Sequence, residues 1–323
     1  MGTSLTKKGL VAANDKIIYA ARPAIEMLKL FITDFTPDAA KKYEKVLVNV
    51  MKGQTADFAK GSENYTTGTI GKIHHAYLEL QKDKLVKFTF DDMGFLEDEF
   101  APSWGNLAPA GGVNLGDDMV KHALSKLSYA NVDTNGQKVL AASVAAATYG
   151  DFVALWDKCN AAGYNPRQTV IVLEPNAFLK LKTVADYKTT GVSGVEIARA
   201  LGALLGFKAV VAGPNVSKAS GAAVSGVAPS KGLGFMVPEN ALGIINRTKK
   251  AAKEGGNLLE FGQTIDEETG LVLTTRVVAN TDDGEYTWST ECLFGADLTK
   301  QTLDIDGVQT PNNAPGILQI VTE

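Results

Sequence analysis

The chain has 323 residues, of which 45% are apolar and 21% charged. At roughly 150 residues per domain this is about two domains' worth of chain, enough to bury a core without disulfides or a structural metal. The 32 basic and 36 acidic side chains leave a net charge of −4, which argues against a uniformly basic grip on nucleic acid, and the two cysteines, Cys159 and Cys292, exclude a disulfide framework and a four-cysteine zinc site.

No apolar run approaches the roughly 18 residues of a membrane-spanning helix, and no signal peptide is recognised at the start, so a soluble, intracellularly made mixed protein is expected. Ile17, Ile18, Ala21, Ala24, Ile25, Leu28 and Phe31 recur at helical spacing, with a break expected at Pro23. The result is either a compact helical pair or an arm that finds its partner on another subunit.

From Val46 the period changes. Val46–Met51 is β-like, and Val86, Phe88 and Phe90 alternate with Lys87 and Thr89. The polar, Gly- and Thr-rich stretch between them reads as a long projecting hairpin with no core of its own. Isolated two-stranded hairpins are marginal in water, so something outside it must hold it down. APSWGNLAPAGG then reads as a loop, followed by a helix with Asn114 as N-cap and Asp117 three residues on. A second helix is expected from Thr148 with Asp151 at the same offset. A third opens with the capping box Ser193-x-x-Glu196 and closes on Gly202–Gly206.

Strands are expected at Val170–Leu173, Phe207–Ala212, Phe235–Val237 and Leu242–Ile245. A meander follows, over Leu258–Ile265, Leu271–Ala279 and Tyr286–Phe294, with turns at Glu268-Thr269-Gly270 and Asp282-Asp283-Gly284. The last 25 or so residues read as an extended tail. Residues 1–60 carry ten bases against six acids, and residues 251–323 three against thirteen. Ends of opposite sign can pair within a chain or between chains.

The search for chemistry returns little. Gly68-Thr69-Ile70-Gly71-Lys72 lacks the spacing of a phosphate loop, and the glycines of 202–206 end a helix instead of following a strand. His74 and His75 are adjacent in a β-like stretch and so point to opposite faces; His122 lies on an amphipathic helix. The carboxylate pairs Asp91-Asp92, Asp117-Asp118 and Asp282-Asp283 sit where a strand end, a helix start and a turn already account for them. The reading assigns no catalytic residue, no cofactor and no metal site, and it expects a non-enzyme that completes its fold against copies of itself.

Several segments in order carry a resemblance. They are the helix Asn114–Tyr129, TYGDFVALWDKCNAAGYNPRQTVIVLEPNAFLKL, EIARALGALLGFKAVVAGPNV, PENALGIINR and QTIDEETGLVLTTRVVANTDDGEYTWSTECLFGAD. Together they resemble the tailed-bacteriophage major capsid proteins of the Hong Kong 97-like fold, an α+β class. The resemblance implies an N-terminal arm (1–45), an extended β-hairpin loop (46–100), a peripheral domain with spine helix and β-meander (101–165 and 251–296), an axial domain (166–250) and a C-terminal tail (297–323). It also implies pentamers and hexamers tiling an icosahedral shell around double-stranded DNA. Assembly would take place in the bacterial host cytoplasm, and the chain would reside in the virion. The implied partners are the chain itself, a separate scaffolding protein and a portal protein, with no sequence-specific DNA contact and no membrane. Phe58, Tyr65 and Ile70 are the expected apolar anchors of the loop on a neighbouring subunit. Lys60 and Lys72 lie in the loop where some relatives form a lysine–asparagine crosslink, but no partner residue is identified. The alternatives are an encapsulin-type nanocompartment shell and another self-assembling tail or decoration protein.

Overall fold

The computed structural model describes residues 3–34, 45–51, 73–91, 100–127, 138–140, 144–161, 164–185, 193–213, 232–247, 258–280, 285–299, 302–305, 308–311 and 317–322. In chain order the described elements begin with α1 (Thr3–Phe31), β1 (Thr33–Asp34), β2 (Lys45–Met51), β3 (Ile73–Glu79) and β4 (Lys82–Asp91). Then come α2 (Phe100–Lys126), β5 (Lys138–Leu140), α3 (Tyr149–Ala161), β6 (Thr169–Leu173), α4 (Pro175–Val184), α5 (Gly194–Leu205) and β7 (Ala209–Ala212). The remainder is β: β8 (Gly232–Pro238), β9 (Leu242–Arg247), β10 (Leu258–Ile265), β11 (Val272–Asn280), β12 (Glu285–Leu298), β13 (Thr302–Ile305), β14 (Val308–Pro311) and β15 (Leu318–Thr322). This is a mixed α+β protein.

Three sheets organise the strands. In the body sheet the fourteen-residue β12 pairs along one edge with β4, and along the other first with β11 and then with β9; β10 and β1 end the order. Val86, Phe88 and Phe90 stand opposite Thr290, Trp288 and Tyr286, with Trp288 buried, while Lys87 is exposed. A second sheet runs β5-β15-β8-β6-β7, and a ribbon sheet runs β14-β13-β3-β2.

The β5–β7 sheet is covered on both faces, so β6 is buried at every position and reads as a continuous apolar run. Ile171, Leu173, Val210, Met236 and Ile320 meet Phe152, Leu155 and Cys159 of α3 and Ala177 and Leu181 of α4. Val170, Val172, Val211, Phe235 and Val321 point into the larger core, which they share with α1, α2 and the body sheet. Helix α3 packs in the core of the β5–β7 sheet, and β9 pairs with β12.

Local chemistry explains the ends of the shorter helices. Ser193 and Glu196 form the reciprocal capping box of α5, and Gly206 closes it with a positive φ of 79°. At α3 the Thr148 amide and hydroxyl both donate to Asp151, at 2.7 and 2.8 Å, which holds that carboxyl below its usual range. The C-cap expected at Gly163 lies outside the described residues.

The two long helices depart from expectation. Helix α1 runs through Pro23 without ending. Pro23 lies on the exposed side, and the carbonyl of Tyr19, which loses its helical donor, belongs to a residue 77% exposed to water. Helix α2 starts at Phe100, so the stretch read as a loop is helical and Asn114 is a mid-helix surface residue instead of an N-cap. The cause is a close crossing with α1. Ala108, Gly112 and Gly116 recur every fourth residue, and a Cβ on Gly112 would stand 2.2 Å from the Ile17 carbonyl oxygen. Glycine costs about 1 kcal/mol of helix propensity relative to alanine. Here that cost admits backbone-to-backbone contact, which brings Ile17, Ala21, Ile25 and Leu28 of α1 into the core.

The C-terminal segment is also no free tail. β13 and β14 join the ribbon sheet through a Thr302–His75 bridge, and β15 enters the β5–β7 sheet between β5 and β8.

Candidate assembly surface

The residues expected to anchor the loop on a neighbour, Phe58, Tyr65 and Ile70, lie outside the described residues, as do Lys60 and Lys72. The strands that flank them are in place. β2 pairs with β3 in antiparallel register from Lys45↔Glu79 to Met51↔Ile73, and His74 and His75 are both on β3. Seven residues at about 3.3 Å each make a paired ribbon of roughly 23 Å. The sequence pattern places the return of the hairpin along Val86–Phe90, in β4. Instead only Leu80 and Gln81 separate β3 from β4, and the chain there turns from the ribbon into the body sheet.

That turn is fixed by a tight joint. Leu78 is fully buried, the Gln81 amide donates to the Phe294 carbonyl at 3.1 Å, and a Cβ on Gly295 would stand 1.8 Å from the Glu79 carbonyl oxygen. Around it Lys126 donates to Gln81 Oε1 at 2.7 Å, Gln81 Nε2 donates to Asp297 at 3.4 Å, and Lys84 pairs with Asp118 at 2.7 Å. His122 sits edge-on to Phe294, with ring centroids 5.6 Å apart. Burial, with Lys126 and Lys82 adding to it, pushes the imidazole pKa down to about 4, and Asp297 opposes weakly. Its unfolded value is near 6.5. The unfolded chain thus takes up the proton first, and stability present above that value is lost as pH falls from about 6.5 towards 4. His122→Phe should flatten the melting temperature over that window, with little change at pH 8; thermal scans from pH 4 to 8 check this, and an unchanged slope would contradict it.

A second feature lies where α1 crosses the end of β10. A groove of about 490 Å³ is lined by Asp15, Lys16, Tyr19, Arg22, Pro109 and the consecutive Thr264, Ile265 and Asp266 among others. Tyr19 is 77% and Ile265 63% exposed on its rim. The base of α1 is tied down beside it. Arg22 reaches Asp266 at 2.9 Å and Glu268 at 2.5 Å, and Lys29 donates to the Glu268 carbonyl at 3.2 Å. Burial raises the Asp266 carboxyl, and the Thr269 hydroxyl and the Arg22 guanidinium outweigh it and hold the group below its usual range. The expected attraction between basic N-terminal and acidic C-terminal segments is therefore made within one chain at Arg22.

Deeper in, the Asn14 side-chain carbonyl accepts from Thr275 and Thr290, both at 3.0 Å, and its amide donates to Thr264 at 3.2 Å. This buried hub joins α1 to β10, β11 and β12. Sequence reasoning missed it. A lone polar residue within the apolar stripe of Ile17, Ile18 and Ala21 was its one available signal.

Helix α3 exposes Tyr149, Val153 and Trp156, and the Tyr149 hydroxyl donates to the carbonyl of the exposed Leu204 in α5 at 3.0 Å. Cys159 and Cys292 are buried free thiols; burial pushes the Cys159 thiol up, against a contact with Thr169. Among the described residues no three His, Cys, Asp or Glu side chains come together as a metal site would need, and no helix is long and apolar enough to cross a membrane.

No protein-family model matches the chain, and no curated protein matches it. Solved structures do. A structure described as Mycobacterium phage Che8 is similar at 12% identity and a TM-score of 0.45, over 91% of this chain and 90% of that one. The capsid structure of the cyanophage P-SCSP1u is similar at 12% identity and 0.45, over 91% and 86%. The virus-like particle from Pyrococcus furiosus is similar at 12% and 0.44, over 95% and 98%. Likeness at this level of superposition fixes no function.

Proposed function

We propose that this chain is a structural, shell-building subunit, a phage major capsid protein of Hong Kong 97-like arrangement. Copies of it would assemble as pentamers and hexamers into an icosahedral shell around double-stranded DNA. The observation that carries the reading is the outer edge of β2. The strand is KVLVNVM, seven residues with no proline or glycine and one charge, and among the described residues it pairs on one side only. A strand of that composition presents unpaired backbone donors and acceptors as a template for another chain. Proteins that remain single cover or charge such an edge; a protein that assembles can use it.

In this reading the part of the 46–100 segment that carries Phe58, Tyr65 and Ile70 reaches a neighbouring subunit with those three as anchors. The peripheral part would comprise 101–165 with 251–296, the axial part 166–250. Scaffolding and portal proteins would be its partners during assembly in the host cytoplasm, and the virion its destination. An obligate interface of about 2,000–5,000 Å² per subunit is expected, so buried area outweighs any single surface ion pair and charge sets register.

Negative-stain microscopy of the purified protein tests the proposal. Closed shells support it; tubes or surface knobs point to a different virion protein, and single molecules at every concentration overturn it. Shells that enclose an enzyme and no DNA identify a nanocompartment instead. Deleting Gly53–Lys72 should leave a folded protein that sediments as a monomer, and normal particles from that variant would refute the role of the loop.

A further inference from the structure

We propose that His122 is the trigger of an acid-sensitive latch: a proton on its imidazole releases both side-chain bonds of Gln81 and opens the joint between β3 and β4 while the rest of the chain stays folded. The device lies within one chain and does not depend on assembly.

Gln81 is the pivot of that joint. Its backbone amide donates to the Phe294 carbonyl, its Oε1 accepts from Lys126 at 2.7 Å and its Nε2 donates to Asp297 at 3.4 Å. Lys126 and Asp297 are themselves 3.9 Å apart. His122 stands one turn before Lys126 on α2, and its ring meets that of the same Phe294. The His122 Nε2 is buried and has no hydrogen-bond partner among the described residues. Leu78, fully buried, and the close approach of Gly295 to the Glu79 carbonyl hold the joint shut at neutral pH.

The charges around the imidazole decide what a proton does there. Lys126 faces it from its own helix, Lys82 and Lys84 from β4, and Asp297 from β12; Asp118, one turn earlier on α2, is taken by Lys84 at 2.7 Å. An imidazolium among these groups acts on both tethers of Gln81 in the same sense. It repels the Lys126 ammonium from Oε1 and competes with Nε2 for the Asp297 carboxylate. The backbone bond to Phe294 is then left without its side-chain support. Once the joint opens, water reaches the ring and its ordinary pKa near 6.5 returns, so acid favours the open form. A group that titrates at about 4 when closed and about 6.5 when open shifts the opening equilibrium about twentyfold between pH 7 and pH 5.

Amide hydrogen exchange on the unassembled full chain, corrected for the intrinsic rate at each pH, tests the latch. The Gln81 amide is expected to lose about twentyfold of its protection between pH 7 and pH 5. Dilute urea separates a local opening from a global one, because the rate of a global opening rises with the surface it exposes. Exchange at Gln81 should barely respond to urea, whereas Ile171 and Val172 of β6, both fully buried, should exchange far more slowly and respond strongly. His122→Phe should leave Gln81 protection level from pH 7 to pH 5. His122→Gln, equally without a titrating group, gives the same reading should the larger ring fail to pack. Unchanged protection at Gln81, a loss that persists in the variant, or Gln81 exchanging at the rate and with the urea response of β6 would each overturn the latch, and none of them bears on whether copies build a shell.

Discussion

Gly112→Val is expected to cost about 3 kcal/mol or more of stability, read as a fall in the urea midpoint of the unassembled protein or as a failure to fold. The added side chain has no room. Its Cβ would stand 2.2 Å from the Ile17 carbonyl oxygen and 3.0 Å from the Ala20 Cβ, and the first of these is backbone that cannot rotate away. One turn on, a Cβ at Gly116 would stand 2.8 Å from the Ala24 Cβ and 3.1 Å from the Ala21 carbonyl. The helices must part to relieve either contact, and parting them lifts Ile17, Ala21 and Ile25 from the main core. Alanine at 112 tests the argument more finely. It gains about 1 kcal/mol of helix propensity, so a net loss can come only from the clash. Gly262→Ala is the control, with nothing within 4 Å, and should fall within about 0.5 kcal/mol of the parent. Equal effects at 112 and 262 would show that the crossing does not decide stability.

Removing residues 317–322 should abolish folding of the β5–β7 sheet. This short strand lies inside that sheet, parallel to β5 and antiparallel to β8, with Ile320 opposite Gly234 and Leu318 opposite Met236. Ile320 and Val321 are completely buried and Ile317 is nearly so. They also serve two cores, Ile320 facing α3 and α4 and Val321 facing the core shared with α1. Three such side chains at about 2 kcal/mol each amount to about 6 kcal/mol, against a total of about 5–15 for a folded domain. The deletion also uncovers the paired amides of β8. Loss of cooperative unfolding in circular dichroism and rapid proteolysis near α3 and β6 are expected. A soluble variant with parental melting would show that the strand is dispensable.

The surface joint and the ribbon show how much of the candidate site could be read in advance. The strand character of 46–51 and of 86–90 was legible, because strand preference is written in consecutive residues. That β3 turns into β4 through two residues was not. The turn depends on the missing side chain of Gly295 in β12, which leaves room for the Glu79 carbonyl, a contact between positions 216 apart. The same holds for Arg22 and Asp266, where the charge asymmetry of the two ends was visible but whether it is satisfied within or between chains was not. His122 was legible as a helix residue, yet its depressed pKa comes chiefly from burial against other elements, to which Lys126 of its own helix and Lys82 of β4 add.

The sequence by itself determined what depends on neighbours within about four residues. That covers the Ser193–Glu196 capping box, the left-handed Gly206, the Thr148–Asp151 start of α3 and the strands of the β10–β12 meander. Tertiary structure alone decided three things: that APSWGNLAPAGG is helix, that Pro23 does not end α1, and that the last residues are a core strand. Each of these segments carries weak or contrary local preference. Glycine and proline disfavour helix by at most a few kcal/mol, and burial against a partner far along the chain supplies more than that.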